Sequence, residues 1–375
     1  PDLRLRMKIT DIEIRLCRHE QADSGKATLN TGAGSALEFL VISLHTDEGI
    51  SGHSFGFAGK GAKMAGHAAA TCVKPWLMGK DPWFREAHWQ ESRKQQRWWN
   101  HDPIYTYGPF DIAMWDIAGR VTRQPIHRLL GAYRTKVPTY ASSMSLPSAE
   151  AYAAEALEVQ AAGLVGYKLH PLGSFREDLD AYRACREAVG DEFILMADPV
   201  AQYNYDEALR MGRELEKLNY HWFEEPLYDT DLYHLRKLTA KLDIPIVGTE
   251  VIAGSNQSIA QCIEQRVVDR VRTDVSWRGG ITPVMKTAHL SDSFGMQCEL
   301  HTTIYHPLEL ANLHCACAMR NTEFFEILWP KKAFNFGLKE DIRIDADGFA
   351  HIPEGPGLGI ELDWDLIDNA TMEVL

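Results

Sequence analysis

The chain has 375 residues, 45% of them hydrophobic, and carries a formal net charge of −13. That balance, with no Lys/Arg run, excludes a phosphate-tracking surface and so a nucleic-acid partner. The longest apolar stretches, such as residues 37–44, are too short to span a bilayer, whereas the length holds an α/β barrel of about 200 to 250 residues plus a second domain.

Residues 7 to 57 read as two or three short strands, including KITDIEIRLC and FLVISLHTD. They are joined by a polar loop from about Glu20 to Leu37 and by an Asp-Glu-Gly turn at 47–49 that signals a hairpin. From about Lys63 to Gly131 apolar residues recur every three or four positions, as in DIAMWDIAGR, with Gly131 as a helix C-cap. Strands followed by helices predict a separate α+β domain.

Beyond AYRTKVPTYAS the rhythm alternates between strand and helix. Strands are expected near Thr139–Ser142, Gly166–Leu169, Phe193–Ala197, His221–Phe223, Ile246–Val247, Arg270–Thr273, Gln297–Leu300 and Phe324–Ile327. Amphipathic helical runs such as SAEAYAAEALEVQAAG and YDEALRMGRELEKLN lie between them. Eight strands with intervening helices are what a (β/α)₈ barrel requires. The tail from about Lys339 is rich in Gly, Pro and Asp and reads as turns and short strands. Seven scattered cysteines (Cys17, Cys72, Cys185, Cys262, Cys298, Cys315, Cys317) form no Cys-x-x-Cys pair. Together with the lack of a charged, then apolar, leader pattern, they predict a reduced, cytoplasmic protein.

Three acids, Asp198, Glu224 and Glu250, follow one another at intervals of 26 residues, each closing an apolar strand-like run (ILMADP, YHWFEEP, IPIVGTE). A β/α unit is roughly 25 to 30 residues long, and strand C-termini converge on one pocket in a barrel. Strand-end acids often cap the next helix. Three at equal period instead point to carboxylates that meet, and like charges meeting need a cation. Oxygen-only ligation suits a hard octahedral ion such as Mg²⁺.

In order, the strand ends carry Lys168 and His170, then Asp198, Glu224, Glu250, Asp274, His301 and Glu326. This order, with the motifs Tyr-Lys-Leu-His, Phe-Glu-Glu-Pro, Gly-Thr-Glu, Arg-Gly-Gly-Ile-Thr and Glu-Leu-His-Thr-Thr, resembles the enolase superfamily, and the Asp/His pairing resembles its mandelate racemase subgroup. The resemblance implies a modified (β/α)₇β TIM-type barrel over residues 137–339. An α+β capping domain would span residues 1–136, completed by 340–375. It implies one Mg²⁺ held by Asp198, Glu224 and Glu250, abstraction of the proton α to a carboxylate, and assembly into a homo-oligomer. His301 would be one acid/base group, oriented by Asp274; imidazole suits that work because its ordinary pKa lies near working pH. Glu326 would hydrogen-bond the substrate carboxylate as an electrophile.

Lys168 and His170 depart from the subgroup's Lys-x-Lys pattern. Residues i and i+2 of a strand share a face, so both side chains can enter the pocket. Either His170 is the second acid/base group beside a carboxylate-binding Lys168, or Lys168 is the base and His170 binds a hydroxyl. His306 and His314 are read as ordinary rim or helix residues. RWWNHDPIYTY (97–107) and the loop from His19 to Thr31 resemble the cap segments that close over substrate, although packing at the domain junction explains any single aromatic as well. The small carboxylate substrate is expected to be a sugar acid that loses its β-hydroxyl to give a 2-keto-3-deoxy acid, in a polar pocket rim rich in His and Tyr. The alternative is a racemase or epimerase transferring one proton on a 2-hydroxy or amino acid.

Overall fold

The computed structural model describes residues 7–20, 36–58, 61–99, 102–103, 105–252 and 256–375. The expected loop between Glu20 and Leu37 therefore falls largely outside the described residues, as do Asn100, His101 and Ile104 of the aromatic segment. An antiparallel sheet opens the chain: β1 (Ile9–Glu20), β2 (Ala36–Thr46) and β3 (Ser51–Phe57), with the hairpin turn at 47–49 placing Gly49 at φ 73°. In β1, Ile12, Ile14 and Leu16 are buried while the residues between them are more exposed, the two-residue period of a half-buried strand. The helices α1 (Ala62–Cys72), α2 (Lys74–Leu77), α3 (Arg85–Trp98), α4 (Gly108–Thr122) and α5 (Ile126–Leu129) follow. Here α4 ends on Arg123 in the left-handed conformation, and Gly131, at φ 117°, lies one residue beyond the cap of α5.

Seven strand–helix units and a final strand come next: β4 (Lys136–Ser142), α6 (Ala149–Ala161), β5 (Gly166–Leu169), α7 (Phe175–Val189), β6 (Ile194–Ala197), α8 (Tyr205–Lys217), β7 (Phe223–Glu224), α9 (Leu232–Thr239), β8 (Ile246–Gly248), α10 (Asn256–Glu264), β9 (Arg270–Thr273), α11 (Ile281–Ser293), β10 (Cys298–Leu300), α12 (His306–Ala318) and β11 (Phe325–Leu328). This is a (β/α)₇β barrel. The strands pair in parallel in the order β10-β9-β8-β7-β6-β5-β4-β11. Between β10 and β11, at the two ends of that ladder, Cys298 N–H donates to Asn321 O (2.7 Å) and Thr302 N–H to Glu326 Oε2 (2.9 Å). The helices start where the sequence supplies caps: Ser174 with Glu177 and Asn204 with Glu207 form capping boxes, and Ser148 accepts from Ala151 N–H.

Inside the barrel a layer of Tyr140, Met196, Trp222, Val247 and Phe324 packs beneath the mouth. Truncating a ring as buried as Trp222 costs about 3–5 kcal/mol. At the opposite, N-terminal end Arg270 pairs with Glu299 and Glu323, and His221 Nε2 lies 2.9 Å from Glu323. The hydrogen bonds from His221 and Arg270 hold Glu323 down at about 2.

The tail contains β12 (Phe349–His351), antiparallel to β4, and β13 (Thr371–Val374), antiparallel to β1. It also forms a helix that turns and short strands did not anticipate: α13 (Trp364–Ala370), whose N-cap Asp363 accepts from Leu366 N–H and whose Ile367 is buried. Cap and barrel meet at two glycines. Gly108, starting α4, lies so near Gly279 and Gly280 that a Cβ there would stand 2.9 Å from Val275 O. Gly280, at φ 112°, faces Asp111, which accepts from Thr282 N–H (2.8 Å) and Thr282 Oγ1 (2.7 Å). Among the described residues no helix is long and apolar enough to cross a membrane.

Candidate active site

The residues singled out at strand ends meet at the C-terminal mouth of the barrel, because parallel strands bring their C-termini to one side. Lys168 is buried, and its Nζ stands 3.1 Å from Asp198, 3.0 Å from Glu224 and 2.9 Å from Glu326. Burial opposes its charge, as does Arg272, yet Glu224 and Glu326 raise its pKa well above the ordinary range. It is a fixed ammonium. The acids respond in kind: Asp198 falls well below the usual carboxylate range because Lys168 and then His170 overcome its desolvation.

His170 is anchored through Nδ1 to the carbonyl of Ser143 (2.7 Å), an acceptor that requires Nδ1 to carry the proton. Its Nε2 rests 3.0 Å from Asp198 Oδ2. His301 repeats the arrangement: Nδ1 meets Asp274 Oδ2 at 3.0 Å and Nε2 lies 3.3 Å from Glu250 Oε1. Asp274 is itself held by the N–H groups of Ser276 (2.6 Å) and Trp277 (2.8 Å). Burial works against the charge on His301, but Glu250 and then Asp274 outweigh it and raise the imidazole to about 9.

Two arginines were given no site role in the sequence, although Arg278 opens the Arg-Gly-Gly-Ile-Thr motif. Arg272, fully buried, places Nε 2.7 Å from Glu224 and 4.0 Å from Glu250, and its Nη2 contacts Glu326 and the Tyr140 hydroxyl. The alternation that carries Lys168 with His170 would have found it, two residues before Asp274 on one strand. Arg278, also buried, donates to the carbonyls of Thr249 (2.8 Å), Glu250 (3.2 Å) and Ile252 (3.4 Å), bracing a turn in which Thr249 has φ 83°. Glu326, expected to hydrogen-bond the substrate carboxylate, accepts from Thr302 N–H (2.9 Å) and touches Lys168 and Arg272. Desolvation pushes it up, but Arg272 and Lys168 draw it well below its ordinary value.

Among the described residues no three His, Cys, Asp or Glu side chains form a ready-made metal cage. Lys168 and Arg272 instead meet part of the acids' charge. Asp198, Glu224, Glu250 and Glu326 share these two cations, while His301 faces Asp274 and Glu250, so five carboxylates meet two fixed cations and the His301 imidazole. Glu250 registers the excess: desolvation first, with Glu224 and Asp274 adding to it, raises its carboxyl to about 8 despite His301 and Arg272. An oxygen-only donor set with uncompensated negative charge fits a hard divalent cation.

A cavity of about 190 Å³ opens over this cluster, with His170, His301, Glu326, Ser142 and Thr302 among its lining. No tyrosine is among the described lining residues, unlike the rim expected from the sequence.

A (β/α)₇β barrel with acids, imidazoles and an Asp–His pair at its mouth, under an antiparallel cap, defines an enzyme architecture of the enolase type. The chain belongs to the mandelate racemase/muconate lactonizing enzyme family: that family's N-terminal domain matches residues 13–131 and the enolase C-terminal domain-like family matches residues 151–366. It is 30% identical to an arabinonate dehydratase from Saccharolobus solfataricus, over 92% of this chain and 94% of that protein. It is 26% identical to an N-succinyl-L-Arg/Lys racemase from Bacillus cereus, over 98% of each chain. Among solved structures, a D-glucarate dehydratase from Agrobacterium tumefaciens complexed with magnesium superposes with a TM-score of 0.88 at 35% identity, over 98% of this chain and all of that one.

Proposed function

We propose that this chain is a Mg²⁺-dependent sugar-acid dehydratase that removes the proton α to a carboxylate and expels the β-hydroxyl to give a 2-keto-3-deoxy acid. The observation that carries this reading is the pair of imidazoles, His170 and His301, each tied down through Nδ1 and both lining one cavity beside the acids. Dehydratases of sugar acids among the relatives support it further. Asp198, Glu224 and Glu250 would hold the cation, which when bound supplies positive charge beside the substrate carboxylate as the enediolate develops.

The chain's own groups divide the remaining work. Lys168 is ringed by three carboxylates and so serves as a fixed positive charge rather than a base. His170 and His301 then exchange protons: one imidazole takes the α-proton at Nε2, and the other, as imidazolium, gives a proton to the departing hydroxyl. An imidazolium is a stronger acid than an ammonium and better matched to that second transfer. Asp274 fixes the tautomer of His301 and steadies its charged form. Glu326 holds Lys168 and Arg272 in place and accepts from Thr302 N–H.

In this reading residues 1–136 with 340–375 form the cap and 137–339 the catalytic barrel, supported by the pairing of β13 with β1. The substrate is a small carboxylic acid, and the seven unpaired cysteines suit a reducing cytoplasm. The experiment is incubation with a library of aldonic, aldaric and uronic acids plus Mg²⁺ in heavy water. Keto-acid formation is the expected result; deuterium uptake without it would replace dehydration by racemisation or epimerisation.

A further inference from the structure

The cavity is polar on its floor and apolar on one side. Floor groups include the imidazoles, Glu326 and Ser142, whose hydroxyl is buried and has no hydrogen-bond partner among the described residues. That hydroxyl is placed to meet a polar substrate group. Ser143, Ser145 and Thr302 complete the polar lining, and the remaining lining residues are Met144, Leu172, Val200, Ile304 and Leu328. Met144 and Ile304 pack on a small cluster of Leu328, Ala333 and Phe334, so this wall is part of a continuous apolar body. No Lys or Arg is among the described residues lining the cavity.

Ile304 strengthens the point. It sits at φ 72°, a left-handed conformation that a β-branched residue rarely adopts. Asn or Gly would fit that backbone more easily. Strain of this kind persists where the surroundings hold it and clusters at functional sites. Here its result is an apolar side chain held against the cavity beside His301 and Thr302.

We infer that the acid taken by this site ends, at the chain terminus away from its carboxylate, in a methyl group: a terminally deoxygenated monocarboxylic sugar acid. The inference rests on the dehydratase reading above and adds a substrate class to it. A terminal hydroxyl against Met144, Ile304 and Leu328 gives up water partners for apolar side chains, and a terminal carboxylate meets no cation among the described lining residues. Discrimination on that basis is on the order of 10–100-fold in kcat/KM.

The test uses the full chain with Mg²⁺ and matched pairs of six-carbon aldonic acids and their 6-deoxy counterparts across configurations, alongside the corresponding aldaric acids, with keto-acid release as the readout. The expected result is a kcat/KM about 10–100-fold higher for the 6-deoxy member of whichever configuration is turned over. Equal or better turnover of the hydroxylated acid or the aldarate overturns the inference while leaving dehydration standing. Absence of keto acid from every compound overturns the dehydratase reading itself. Ile304→Asn, which suits the left-handed backbone, is expected to bring the ratio within a pair close to one; an unchanged ratio would remove Ile304 and its wall from the account.

Discussion

Arg272 Nε stands 2.7 Å from Glu224 Oε1, and the other arm of the same guanidinium reaches Glu326, so one fully buried cation ties the acid of β7 to the acid of β11. Removing one partner of such a cluster leaves uncompensated charge in the interior, at about 3–5 kcal/mol. Arg272→Met should therefore lower the urea midpoint sharply, and adding Glu326→Gln to it should recover part of the loss. A single variant as stable as the parent would show that the cluster tolerates the missing cation.

The two histidines should separate in kinetics. His301→Asn and His170→Asn are each expected to lower kcat by about 10²–10⁴ with little change in KM. One of them should still permit exchange of the substrate α-proton with solvent deuterium, identifying the other as the abstracting base. If Lys168→Met spares exchange and neither histidine variant affects it, the assignment of the base to an imidazole is wrong.

Stripping divalent cations with a chelator should abolish turnover, and Mg²⁺ should restore it. Glu250→Gln is expected to weaken Mn²⁺ binding by at least about tenfold, read by electron paramagnetic resonance without substrate. Unaltered Mn²⁺ affinity would release Glu250 from the donor set.

His314, on α12, supplies a pH prediction far from the mouth. Its Nδ1 accepts from His127 N–H at 3.1 Å and its Nε2 donates to Leu358 O at 2.9 Å, a pattern that only the neutral ring satisfies. Burial lowers its pKa to about 3, with His127 adding to the effect. The unfolded chain then binds the proton first, so this group's contribution is complete above about pH 6.5 and is lost as pH falls toward 3. Between pH 6.5 and 5 the loss is about 2 kcal/mol. His314→Gln can keep both hydrogen bonds and should flatten that slope in denaturant titrations across the range.

Gly280→Ala tests the cap–barrel junction. A Cβ there would lie 2.5 Å from Asp111, at a φ of 112° that an L side chain resists. The expected loss is about 3 kcal/mol. A differential scanning trace matching the parent would mean the junction yields easily.

Much of the barrel could be read from the chain because short apolar runs recurred at the β/α period, and the strands found near Gly166–Leu169 and Arg270–Thr273 have those limits in the structure. The strand at His221–Phe223 moves by a residue or two, since it is only the pair Phe223–Glu224. The mouth residues were visible because strand ends collect in one place. Arg272 was not, because a guanidinium in a barrel interior runs against the usual preference of arginine for water, and only its ring of acids makes it tolerable. Lys168 was visible as a residue but not as a buried ion, for its three partners come from three other strands. The seven-residue α13 is too short to show a helical period and sits in a segment rich in Gly and Pro.

The last 27 residues bear on how the molecule can move. One stretch, β12, is zipped to the barrel at β4, and 20 residues later another, β13, is zipped to the cap at β1. The tail is thereby fastened to both bodies, with residues 352–370 running between the two seams. Shortening the chain by its final strand should therefore loosen the cap more than any single substitution on the surface.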